Sequence, residues 1–167
     1  MNQSVSALQQ DIAALLPRLR RFARAITHHT EDADDLVQIA IERALLRVDQ
    51  WQPDARLDTW IYRIMKNAWI DEIRSRIRRD RVLAPAADGE AVGDDSALAL
   101  DQRLSVQQAM RQLNDDQRMV VSLVLVDGLA YKEAAEVLEI PIGTLTSRLA
   151  RARDALQALL MEPARTI

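Results

Sequence analysis

The sequence predicts an all-α protein of two small helical domains joined by an acidic linker, and three observations carry that reading. Apolar residues recur at alternating spacings of three and four along most of the chain, which lays them on one face of a helix. Aromatics make up only 4% of the 167 residues, and runs of Val, Ile, Thr and Tyr are scarce, so the core falls to Leu, Ile, Val and Ala rather than to strands. From Ala84 to Asp101 the composition turns small and acidic, with Pro85, Gly89 and Gly93 and no Lys or Arg. The domain boundaries follow as 1–83, a linker over 84–100, and 101–167.

The first helix is marked by Leu8, Ile12, Leu15, Leu19, Phe22 and Ile26. Pro17 falls among them, either as an early-turn residue or as a kink. Thr30 offers the N-cap of a second helix, and Glu31, Asp32, Asp34 and Asp35 load its first turn with the negative charge that a helix N-terminus favours. Ala33, Val37, Ala40, Ala44 and Val48 carry that helix toward Trp51. Trp51 to Arg56 reads as a loop. A third helix is expected from near Asp58 to Arg79, with Ile61, Met65, Trp69, Ile73 and Ile77 as its stripe. Its end holds Arg74, Arg76, Arg78, Arg79 and Arg81, either a solvated helix C-terminus or a polyanion contact.

Beyond the linker, Leu100, Leu104, Met110 and Leu113 indicate a further helix. Asn114, with Gln117 three residues on, forms a capping-box pattern that opens the next one, which runs to Asp127. Gly128 then suits the left-handed position after a helix end. Two helices follow in quick succession, about Tyr131 to Leu138 and about Ile142 to Leu160, joined by Glu139-Ile140-Pro141. Leu145, Leu149, Ala152, Leu156 and Leu159 are expected to be buried in the second. Thr144, Ser147, Arg148 and Arg151 lie on its other side, with Thr146 on a flank. A short helix, a tight turn and a second helix with donors near its start is how side chains reach major-groove base edges, and arginine there pairs with guanine in bidentate fashion.

These residues resemble a known family. Gly128-Leu129-Ala130-Tyr131-Lys132-Glu133-Ala134-Ala135-Glu136-Val137-Leu138, Ile140-Pro141-Ile142-Gly143-Thr144-Leu145 and Ser147-Arg148-Leu149-Ala150-Arg151-Ala152-Arg153 are similar to the C-terminal DNA-binding region of extracytoplasmic-function sigma factors of the sigma-70 family. Asp34-Asp35-Leu36-Val37-Gln38 with Glu42-Arg43-Ala44 resembles the helix by which that family binds core polymerase. Thr59-Trp60-Ile61-Tyr62-Arg63-Ile64, Asn67 and the arginine-rich tail resemble its promoter-melting helix.

The resemblance implies a non-catalytic subunit that binds core RNA polymerase, recognises −35 and −10 promoter elements and helps to open the duplex. It assigns Asp34, Asp35, Leu36, Gln38 and Glu42 to core polymerase. Trp51, Arg56, Trp60, Arg63, Asn67, Arg74 and Arg78 go to −10 DNA, and Thr144, Thr146, Ser147, Arg148 and Arg151 to −35 DNA. An anti-sigma partner is implied by the resemblance alone. Ala130 and Glu139 depart from the family pattern, which favours a serine or threonine cap at the first position and glycine at the second. Thr146 departs as well, at a position often basic in relatives. A left-handed Glu139 would cost about 1 kcal/mol relative to glycine.

The net charge of −3 opposes strong independent DNA binding, so basic residues must be segregated or a partner must supply the attraction. An autonomous regulator with a similar helix-turn-helix explains residues 101–167 but leaves the Asp34–Gln38 and Trp60–Asn67 patterns without a role. Enzymatic chemistry has little to build on. Asp34 and Asp35 diverge by about 100° on a helix and cannot readily chelate one ion. His28 and His29 have no ligand set at suitable spacing. With no cysteine there are no disulfides, Cys-ligated zinc or thiol catalysis, which suits a reducing compartment. No catalytic residue, metal or cofactor is expected. No basic-then-apolar leader and no apolar run of about 18 residues is present, so the expectation is a cytoplasmic protein without membrane insertion.

Overall fold

The computed structural model describes residues 2–82 and 97–161, and within them every regular element is helical. Helix α1 spans Asn2–Ile26, α2 Thr30–Leu46 and α3 Leu57–Asp80, with a single 3-10 turn at Val48–Gln50. Helix α4 spans Ala97–Gln112, α5 Asp115–Val121, α6 Tyr131–Leu138 and α7 Ile142–Met161. Most of the acidic linker lies outside the described residues; its last positions, from Ala97, already belong to α4.

Pro17 is accommodated inside α1, which runs through it. Leu8, Ile12, Leu19, Phe22 and Ile26 are buried as the spacing requires, and the Phe22 ring meets Tyr62 of α3 edge-on at 5.0 Å. Helix α2 starts one residue earlier than its expected cap: His29 holds the N-cap position without a side-chain hydrogen bond, and Thr30 is the first helical residue. Two stripes run out before their helices end. Ile61, Met65 and Trp69 are buried in α3 but Ile77 is exposed, and in α7 Leu159 is exposed beyond Leu145, Leu149 and Ala152. Both helices continue past the last element that could cover them, so periodicity persists where burial does not.

The local signals behave as their chemistry dictates. Asn114 Oδ1 accepts from the Gln117 N–H at 2.9 Å while Gln117 Oε1 accepts from the Asn114 N–H at 3.3 Å. Gly128 adopts φ 70°, and the Leu129 N–H reaches back to the Leu123 carbonyl at 3.0 Å. One feature has no sequence signal. After Val121, α5 widens into a π-helical stretch, Ser122–Val126, before Asp127 ends it. In the helix-turn-helix, Ala130 has no capping side chain, but Glu133 Oε2 accepts from its N–H at 2.9 Å, which supplies half of a capping box.

The two helical blocks share one hydrophobic core. Helix α1 packs on α5 and its π extension, and α3 packs on α6. Arg118 sits at this junction with its guanidinium buried. It donates to the carbonyls of Met110 at 3.0 Å and Leu113 at 2.5 Å, with longer contacts at 3.5 Å to Arg111 and to Ile26 at the end of α1. Asp115 balances its charge at 2.8 Å. One side chain thereby satisfies helix-end carbonyls from both blocks.

Candidate nucleic-acid and partner surfaces

Three surfaces collect the residues singled out by sequence. The first is built on α2. Asp35, Ile39, Glu42 and Leu46 recur at helical spacing, and all four are exposed. Ile39 and Leu46, the latter 83% exposed, give this acidic stripe an apolar content that charge patterning alone did not reveal. Beside it, α1 and α2 border a groove of about 580 Å³ lined by Leu16, Val37 and Ile41, with Asp34, Gln38 and Glu42 on one wall and Arg20 and Arg24 on the other. Gln38 Nε2 donates to Glu42 Oε1 at 3.1 Å. Leu36 points into the core, so it shapes this helix from beneath and is not part of its surface.

The opposite end of α2 is fixed to α3. Arg76 donates to both Asp32 oxygens at 2.7 and 2.9 Å and to Glu72 at 2.8 Å, and its guanidinium lies 5.5 Å from the Trp69 ring centre. Those hydrogen bonds hold the Asp32 carboxyl below its ordinary value, against the opposing effect of burial. The arginine cluster therefore divides. Arg76 is structural and Arg79 pairs with Glu72, whereas Arg74 and Arg78 are exposed.

The second surface is the N-terminal half of α3 with the loop before it. Trp51 donates its indole N–H to the Ala55 carbonyl at 3.2 Å, and its ring lies 6.5 Å from Trp60, so the loop is braced on the helix. Asp58 gathers Arg18 at 3.1 Å, Arg56 at 2.7 Å and the Thr59 N–H at 2.7 Å. Burial works against its charge, but these donors outweigh burial and leave the carboxyl below its ordinary range. Asn67 is exposed on the same helix.

The rest of this face is covered by α6. Arg56 pairs with Glu133, Arg63 Nη2 donates to the Glu136 carbonyl at 3.2 Å, and Lys66 Nζ donates to Glu139 Oε2 at 2.7 Å. The Lys66 side chain is only 6% exposed, and its ammonium holds the Glu139 carboxyl below the usual range. Lys66 was not singled out by sequence, where a lysine between Met65 and Asn67 reads as solvated. At the far edge of the junction, Arg21 donates twice to Asp127 Oδ1 at 3.2 Å. Burial pushes the Asp127 carboxyl up, and the Arg21 hydrogen bonds pull it back only in part.

The third surface is the start of α7. Leu145, Leu149 and Ala152 face inward, and Thr146, Ser147 and Arg151 are exposed on the outside, with Thr144 partly covered. Ser147 and Thr146 donate to the carbonyls one turn earlier, Thr144 and Ile142, at 3.1 and 2.8 Å. Arg151 Nε lies 3.3 Å from the Ser147 carbonyl. Arg148 is drawn back: it pairs with Asp116 of α5 at 3.1 Å and lines a small cleft shared with Lys66 and Ile70 of α3. Among the described residues no group of His, Asp or Glu is arranged to hold a metal ion, and no helix is long and apolar enough to cross a membrane.

Comparison with known proteins bears on all three surfaces. A family model described as Sigma-70 region 2 matches residues 12–79, and one described as Sigma-70, region 4 matches residues 103–156. The chain is 34% identical over 161 residues to the ECF RNA polymerase sigma factor EcfG of Rhodopseudomonas palustris, covering 92% of this chain and 85% of that protein. It is 30% identical over 146 residues to the ECF RNA polymerase sigma factor SigW of Bacillus subtilis, covering 80% and 78%. Among solved structures, the sigma factor RpoE of Bartonella quintana in complex with the anti-sigma factor NepR superposes with a TM-score of 0.81 at 28% identity, over 94% of this chain and 99% of that one. CnrH in complex with the cytosolic domain of CnrY gives a TM-score of 0.71 at 26% identity, over 95% and 93%.

Proposed function

The chain belongs to the extracytoplasmic-function group of sigma-70 factors, non-catalytic subunits that direct RNA polymerase to promoters, and on that premise we propose how its three surfaces divide the work. The α2 stripe and the adjoining groove dock on core polymerase, where Asp34, Asp35, Gln38 and Glu42 offer charge to a basic partner and Ile39 and Leu46 offer apolar area. The start of α7 reads the −35 element, with Arg151 on base edges and Thr144, Thr146, Ser147 and Arg148 positioning the helix. The Trp51–Arg56 loop, Trp60, Arg63 and Asn67 capture an unstacked base of the −10 element, and Arg74 and Arg78 hold the strand backbone.

The observation that carries this reading is the division of α7: leucines turned inward and hydrogen-bonding groups turned outward at its N-terminal end. An amide such as Asn67 meets a flipped base with both donor and acceptor, which offsets part of the few kcal/mol that unstacking costs, of order 2–4 kcal/mol. An acidic chain suits this role because the polymerase supplies much of the attraction for DNA. The two blocks are taken as residues 1–83 and 101–167 with 84–100 as linker, and the protein as cytoplasmic. An anti-sigma partner is proposed because RpoE of Bartonella quintana, a similar fold, was solved with NepR.

The deciding experiment is transcription from candidate promoters by purified core polymerase, with and without the chain, using Asp35→Arg as the control. Specific initiation that appears only with the parent chain supports the assignment. Tight promoter binding by the chain without core, and no effect on initiation, would replace it with an autonomous regulator.

A further inference from the structure

Glu139 is strained in its backbone and useful in its side chain. It adopts φ 56° and ψ 43°, and it is the only non-glycine residue with positive φ among the described residues. Glycine takes this conformation without crowding a Cβ. The side chain that glutamate adds there reaches Lys66, a cation almost wholly buried by the packing of α6 on α3. A buried ammonium without a partner is strongly unfavourable, so closure of the two blocks depends on that carboxylate.

The same pattern extends along the interface. Residues 133, 136 and 139 recur every three positions on α6, and residues 56, 63 and 66 lie opposite them on α3. Each contact offers a carboxylate or a carbonyl oxygen to a cation, which is also what a phosphate backbone would offer. The junction also has loose ends. Arg63 Nε, Tyr62 Oη and Asp127 Oδ2 are buried without completing a hydrogen bond, although the Asp127 charge acts on Tyr62. Opening would hydrate all three.

We propose that the acidic edge of α6, ending at Glu139, is an internal substitute for nucleic-acid phosphates, and that Lys66 is a promoter-DNA contact which only the opened chain exposes. The inference rests on the assignment of −10 DNA to α3, and it adds a residue, Lys66, and an occupant of that face, α6. The closed and DNA-bound arrangements are mutually exclusive because they use the same three cations. The closed one weakens as salt screens the exposed members of the pairs.

The test uses the full chain. Because it contains no cysteine, Gln10→Cys and Gln157→Cys, both exposed and away from the interface, accept a donor and an acceptor dye without competing sites. Glu139→Gly relieves the backbone while deleting the carboxylate; Glu139→Gln keeps the Cβ and deletes only the charge. Both variants are expected to change energy transfer toward a separated pair of blocks, and to bind a short single-stranded DNA about five-fold more tightly or better than the parent. Lys66→Ala in the Glu139→Gly background should reverse that gain. Energy transfer identical to the parent's in both Glu139 variants overturns the closure. If Arg63→Ala and Asn67→Ala weaken binding in the open background while Lys66→Ala does not, the proposal fails and the −10 assignment stands. If none of the three weakens it, the −10 assignment fails and takes the proposal with it.

Discussion

The two faces assigned to DNA are in opposite states. On α7, Thr146, Ser147 and Arg151 are exposed and held only by bonds within their own helix. On α3, Arg56, Arg63 and Lys66 are bound by another helix, and Lys66 is buried. The difference teaches that a DNA-reading surface can be fully formed and still unavailable. What hides it is the back of the same helix-turn-helix whose front remains open. Arg148 marks the border, since it leans toward α5 and the cleft with α3 although it belongs to the recognition helix.

The contrast should break most completely at Arg118. Arg118→Ala leaves several helix-end carbonyls and Asp115 without their buried partner, and it should destabilise the chain by about 3–5 kcal/mol in chemical denaturation. Arg118→Lys should recover only part of this, because an ammonium cannot reach that many divergent acceptors. A loss below about 1 kcal/mol would mean that the junction is held by apolar packing alone.

A smaller change sharpens the difference between faces. Arg151→Ala should weaken binding to a −35 duplex by about 1–3 kcal/mol, and equally in the parent and Glu139→Gly backgrounds, because α7 is exposed in both. Unequal losses would show that the open face is also coupled to closure. At the covered face, Asn67→Ala should slow opening of a duplex promoter by roughly ten-fold, equivalent to about 1.4 kcal/mol, and slow it less on a template already melted at −10. Permanganate footprinting on the two templates reads this directly, and equal slowing on both would place Asn67 in a step other than base capture.

The smallest effect lies within the N-terminal block. Asp32 is held below its ordinary value of 3.8, so its pairing with Arg76 contributes fully above that pH and is lost as pH falls through the lower folded value. Asp32→Asn should cost about 1 kcal/mol at neutral pH, and the gap from the parent should close under acid conditions. Energy transfer between the blocks should not change. A gap that persists in acid would assign the effect to shape rather than charge.

Legibility in the sequence followed the range of each interaction. The Asn114–Gln117 box and the Gly128 turn were readable because every participant lies within a few residues. The helix-turn-helix was readable because burial of Leu145, Leu149 and Ala152 follows from periodicity. Ile77 and Leu159 were misjudged for the converse reason, since periodicity says nothing about where the covering partner stops. The docking of α6 on α3 was beyond reach: the burial of Lys66 depends on a carboxylate 73 positions away. Its one local trace was Glu139, a side chain where the backbone favours glycine. Of the candidate surfaces, the exposed apolar pair Ile39 and Leu46 could have been read from α2 by asking which leucine-like residues fall off the buried stripe.

The wide turn at Ser122–Val126 has a consequence for how this chain tolerates changes in length. Each residue added to or removed from a helix rotates everything after it by about 100° and shifts it by about 1.5 Å. The π stretch absorbs one residue beyond the α-helical count, and that phase turns Asp127 toward Arg21 and delivers α6 onto α3. The register between the blocks is therefore written partly as a number of residues. Substitutions within Ser122–Val126 would alter packing by degrees. A single-residue deletion there would restore an ordinary helix while swinging the entire helix-turn-helix out of phase with its partner face.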